Sequence, residues 1–78
     1  MDEKQHARGL RSGALLLRVY IEQHNLTQAQ FAEKAKIDES LISRYLAGDV
    51  VPGLANAAAI VKATEGEVNG QDWLSAAA

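Results

Sequence analysis

Leu26-Thr27-Gln28-Ala29-Gln30-Phe31-Ala32-Glu33-Lys34-Ala35-Lys36-Ile37-Asp38-Glu39-Ser40-Leu41-Ile42-Ser43-Arg44-Tyr45-Leu46-Ala47-Gly48 packs two helix starts into one short stretch. Thr27 can cap the amide of Gln30, and the Gln30 side chain can reach back to Thr27, which is a capping box. Leu26 before the cap and Phe31 four positions after it form a hydrophobic staple. Asp38 repeats the pattern as an N-cap, with Ile37 before it and Ile42 at the staple position. Glu39 in the first turn suits the helix dipole, and Gly48 supplies a left-handed stop. Ile42, Tyr45 and Leu46 face inward at i, i+3 and i+4. The first helix runs from Thr27 to about Ala35, so only Lys36 and Ile37 separate it from the second cap. Two short helices joined by so tight a turn make a helix-turn-helix at about residues 27–47.

Outward from that pair the pattern stays helical. Leu17 with Ile21, and Leu16 with Tyr20, lie four apart on one broad face of a helix predicted from Ser12 to His24, with Asn25 as its left-handed end. Residues 1–11 show no apolar period and read as a flexible arm carrying Lys4, Arg8 and Arg11. Pro52 and Gly53 open a fourth helix with a stripe of Leu54, Ala57, Ile60 and Val61 and a stop at Gly66. Val68 and Trp73 staple a short fifth helix at Asn69. The reading is all-α: a compact five-helix domain over residues 12–76, with no strand signal.

Composition sets outer bounds. Seventy-eight residues allow one small core, and the 47% apolar content, rich in alanine with only four aromatic residues, predicts close helix packing. No cysteine is present and the two histidines, His6 and His24, lie far apart, so no metal site is expected. The longest uncharged stretch, Val50 to Val61, holds Pro52, Gly53 and Asn56, which excludes a membrane span there. The polar start MDEKQHARGL lacks the apolar run of a secretory signal, so a cytoplasmic location is expected. No nucleophile–base pair or metal cluster stands at a usable spacing, so an enzyme is not expected, nor a cofactor or small-molecule ligand. The net charge of −2 is unlike that of many small nucleic-acid binders, although most of the positive charge lies in residues 1–36.

The segment Leu26 to Leu54 resembles the lambda-repressor-like, Cro/C1 or XRE-type helix-turn-helix family. The tail K-A-T-E-G-E-V-N-G-Q-D-W-L, Lys62 to Leu74, resembles short Cro-like and YdaS-like prophage regulators. The resemblance covers about residues 14–74. It implies a lambda-repressor-like DNA-binding domain whose helix 3 enters the major groove of double-stranded DNA. It assigns base reading to Glu39, Ser40 and Arg44, of which Arg44 can fork onto guanine O6 and N7. Gln28, at a helix N-terminus, matches a phosphate-gripping glutamine, and Ser43, Lys36 and Arg11 are further phosphate candidates. Against these stand plainer roles: an arginine in surface ion pairs at 44, a dipole-compensating carboxylate at 39, a solvated serine at 40. Ile37, Ile42, Tyr45 and Leu54 are assigned to the core.

Five positions depart from the family pattern. Lys36 and Glu65 stand where glycine is usual. Ala47 replaces a frequent phosphate-binding asparagine, and Asp49 with Val50 replaces commonly basic residues. The expected function is a sequence-specific transcriptional regulator, a repressor of phage or mobile-element type, acting as a homodimer on a two-fold operator. The Trp73-Leu74 end offers itself as a dimer patch, with Trp73 also read as covering the monomer core. The alternative is a protein-binding adaptor or antirepressor that keeps the fold without reading DNA.

Overall fold

A computed structural model describes the backbone of residues 2–77 and the side chains of residues 13–73. Among the described residues there are five helices and no strand: α1 (Asp2–Gln23), α2 (Gln28–Ala35), α3 (Glu39–Ala47), α4 (Leu54–Ala63) and α5 (Gly70–Ala77). Helix α1 packs along α5 and against α3, α2 against α3 and α4, and α4 against α5. Leu17, Phe31, Ile42, Ile60 and Val68, drawn from every part of this arrangement, have no exposed surface. Burying each such side chain stabilises the fold by roughly 1.5–3 kcal/mol.

The helix ends explain how so small a chain turns four times without long loops. At the end of α1, Leu26 N–H donates to Ile21 O (3.0 Å) and Asn25 N–H to Glu22 O (3.2 Å). The same pair of bonds ends α2, from Ile37 to Ala32 O and Lys36 to Glu33 O, and α3, from Asp49 to Arg44 O and Gly48 to Tyr45 O. It ends α4 as well, from Gly66 to Val61 O and Glu65 to Lys62 O. Each is a Schellman motif, in which one residue takes a positive φ so that stranded carbonyls find donors. Those residues are Asn25 (φ 55°), Lys36 (60°), Gly48 (81°) and Glu65 (56°). Only one of the four is glycine. A non-glycine residue in this region costs about 1–2 kcal/mol, least for asparagine, so Lys36 and Glu65 carry most of the local strain.

Leu26 and Ile37 therefore act twice. Each donates the bond that closes one helix, and each is the apolar residue before the next N-cap. Leu26 is half-buried and Ile37 buried. The predicted capping box is present: Gln30 N–H donates to Thr27 Oγ1 (3.0 Å) and Thr27 N–H to Gln30 Oε1 (2.9 Å).

The structure corrects four readings. Helix α1, predicted to start at Ser12, begins at Asp2. Its Glu, Lys, Gln, Ala and Arg residues favour helix, and Asp2 and Glu3 suit a helix N-terminus, without any apolar period to signal it. Leu54, assigned to the core, is 90% exposed. Leu16 likewise lies at the exposed edge of α1 while Leu17, Tyr20 and Ile21 are buried. Gly66, read as the stop of α4, does donate the closing bond to Val61 O, but the helix itself ends at Ala63, because the positive φ begins one residue earlier, at Glu65. Trp73 is 3% exposed, as the reading that it covers the monomer core requires.

Candidate nucleic-acid interface

Helix α3 divides into two faces. With 100° per residue, Glu39, Ser43, Ala47, Ser40 and Arg44 fall within an arc of about 140°, and all five are exposed. Ile42, Tyr45 and Leu46 occupy the opposite arc and are buried, with Leu41 half-buried between. Three interactions hold the buried side in place. Asn56 Nδ2–H donates to Tyr45 Oη (2.9 Å). The Tyr45 ring lies 6.0 Å from that of Trp73. From α1, the Arg18 guanidinium donates to Leu46 O (3.2 Å), a carbonyl in the last turn of α3 where a cation also suits the helix dipole. A rigid helix thus presents its polar arc outward.

Each residue singled out from the sequence has a defined place. Arg44 is exposed, and among the described residues its guanidinium has no ion pair or hydrogen bond. Glu39 opens the first turn of α3. Ser43 lies one turn along the same face. Ser40 is engaged: its hydroxyl and its backbone N–H (3.1 Å) both donate to Oδ2 of Asp38. Those two contacts, the hydroxyl first, hold the Asp38 carboxyl below the ordinary aspartate value of 3.8.

Gln28 is the first residue of α2 and exposed. Beside it the backbone N–H groups of Gln28 and Ala29 have no partner among the described residues, since Thr27 satisfies only Gln30 and Phe31. Two open amides at a helix start suit an anion. Lys36 stands exposed in the turn between α2 and α3. By contrast Lys34, on α2, donates to Tyr20 Oη (2.6 Å), which in turn donates to Ala63 O (3.1 Å), so it is a structural cation. The side chain of Arg11 lies outside the described residues, as do those of Lys4 and Arg8. Ala47 and Asp49 are exposed beside the end of α3 and bring no positive charge there. Sequence reasoning missed Asp38 as a partner of Ser40 and Arg18 as a brace of α3. The first is legible from N-cap chemistry at i, i+2, whereas the second spans 28 residues and leaves no local signal.

Two short helices set by a tight turn, one buried on its inner face and polar on its outer face, define an all-helical helix-turn-helix domain. The model of a helix-turn-helix family matches residues 17–69. The chain belongs to that family, the XRE, Cro and C1 type of DNA-binding transcription regulator. Searches of curated proteins and of solved structures found no match. Among the described residues no helix is long and apolar enough to cross a membrane, and no cluster of His, Asp or Glu could hold a metal ion.

Proposed function

We propose that this chain is a sequence-specific repressor of phage or mobile-element type, with residues 12–76 as its DNA-binding domain. It places α3 in the major groove and binds a two-fold operator as a homodimer in the cytoplasm. The observation that carries this reading is the outward arc of α3, where Arg44 stands unpaired one turn from Ser40. Arg44 reads guanine, Ser40 and Glu39 read neighbouring bases, and Gln28, Ser43 and Lys36 hold phosphates. A single recognition helix reads only a few base pairs, so two copies on a symmetric site supply the specificity. Electrophoretic shift at low salt with DNA from upstream of the protein's own coding sequence tests this, together with selection from random duplexes. Discrete shifted bands and a palindromic enriched site are expected.

The protein-binding alternative draws on a different observation. Leu54 and Val51 are 90% and 52% exposed, and the neighbouring Ala47 and Asp49 give phosphates nothing to grip. Failure to enrich any DNA, even at low salt, would favour an adaptor using that edge.

A further inference from the structure

Ser40 has one hydroxyl proton and two acceptor lone pairs. Its partner Asp38 is an ionised carboxylate, which can only accept, so in the observed contact the serine must be the donor. The backbone N–H of the same residue converges on the same oxygen. A charge-assisted bond of this kind is roughly twice as strong as a neutral one. What Ser40 shows to the outside of α3 is therefore two lone pairs and no proton.

That polarity decides what it can meet. A phosphate oxygen only accepts, so it finds no donor on Ser40. In the major groove, guanine presents N7 and O6, both acceptors, and thymine presents O4 and a methyl group. Adenine N6 and cytosine N4 carry amino groups that donate. We propose that Asp38 fixes Ser40 as an acceptor, so that Ser40 selects a base with an exposed amino group, adenine or cytosine, and takes no part in phosphate binding. This rests on the reading that α3 enters the groove. Asp38 acts as a positioning residue: it reaches no base and sets the polarity of one that does.

The test is selection of a site from random duplex DNA with the full chain, run in parallel for the parent, Ser40→Ala and Asp38→Gly. Glycine is itself a serviceable N-cap, so α3 should keep its start. If it frays by circular dichroism, Asp38→Ser replaces the carboxylate by a hydroxyl that can itself donate. In the parent, one position per half-site should prefer adenine or cytosine, with guanine and thymine weaker by about tenfold. Ser40→Ala should flatten that position alone. Removing the carboxylate should free the hydroxyl to donate and bring guanine and thymine there to within about threefold, with the ranking elsewhere unchanged. A parent preference for guanine or thymine at the Ser40-dependent position overturns the inference. So does an even loss across all sequences in Ser40→Ala, or an unchanged ranking without the carboxylate. Each of those outcomes leaves groove reading intact, whereas a parent that enriches no site removes both.

Discussion

A Cβ placed on Gly13 would stand 2.3 Å from Cε3 of Trp73, well inside van der Waals contact. The indole of α5 lies flat against bare backbone of α1, and this contact seats the fifth helix. Gly13→Ala brings two opposing terms: a helix-propensity gain of roughly 0.5–1 kcal/mol and an overpacking cost of typically 1–3 kcal/mol. The clash is with a buried ring, so the cost wins. The midpoint of urea unfolding should fall; a rise would show that α5 moves aside freely.

The strained turns invite the reverse experiment. Lys36→Gly and Glu65→Gly each relieve a positive φ, offset in part by the extra freedom glycine gives the unfolded chain. Each should raise the unfolding free energy by up to ~1 kcal/mol. Asn25→Gly should gain less, because asparagine already tolerates this conformation. A lower urea midpoint for Lys36→Gly would mean that its side chain contributes more than its backbone costs.

Thr64 is fully buried and joins two segments: its hydroxyl donates to Ile60 O (2.8 Å) and accepts from Val68 N–H (3.1 Å). Thr64→Val keeps the shape but strands the Val68 amide in the core. A loss of about 1–3 kcal/mol is expected, with faster exchange at the Val68 amide. Thr64→Ser keeps both bonds and should lose less.

Acid should act through Asp38. Its folded-state pKa lies below the ordinary value of 3.8, so the stability it contributes is complete above that value and lost as pH falls through the depressed one. Between about pH 5 and pH 2 the parent should therefore lose stability more steeply than Asp38→Asn, in which the cap remains but no longer titrates. Thermal melts of both proteins across that interval give the comparison; parallel curves would remove Asp38 from the acid response.

Reading and gripping should separate on DNA. Arg44→Ala should cost about 1–3 kcal/mol on the selected site and relax one base position per half-site. Gln28→Ala should weaken all sequences evenly, because phosphate contacts carry no sequence information. Affinities at two salt concentrations distinguish them, and an Arg44→Ala protein that binds the selected site like the parent would refute groove reading by that residue.

The parts of the fold legible in the sequence are those whose causes are local. Thr27 with Gln30, and Asp38 with Ile37 and Ile42, declare helix starts within six residues, and Gly48 declares a stop. The inner face of α3 follows from three apolar positions at helical spacing. Helix α4 was harder to read because alanine looks apolar on every face. Of the stripe Leu54, Ala57, Ile60 and Val61, Ile60 is buried as read, but the buried side is centred on Ile60 and Ala63, and Leu54 lies about 120° or more from both around the helix. The stop at Glu65 carries no sequence signal, since nothing marks a glutamate for a positive φ. On the outer face of α3, exposure of Glu39, Ser40, Ser43 and Arg44 followed from periodicity, but the commitment of the Ser40 proton needed coordinates.

The chain has a single tryptophan, Trp73, and the structure places it where three helices meet: on α5, against Gly13 of α1 and beside Tyr45 of α3. Its emission is thus a built-in optical gauge of that junction, turning redder as soon as α5 lifts and water reaches the ring. The outward arc of α3 is on the other side of the same helix, so a ligand docking there leaves the indole dry. Unfolding and docking therefore separate into a visible and a silent event, in the natural protein and with no added label.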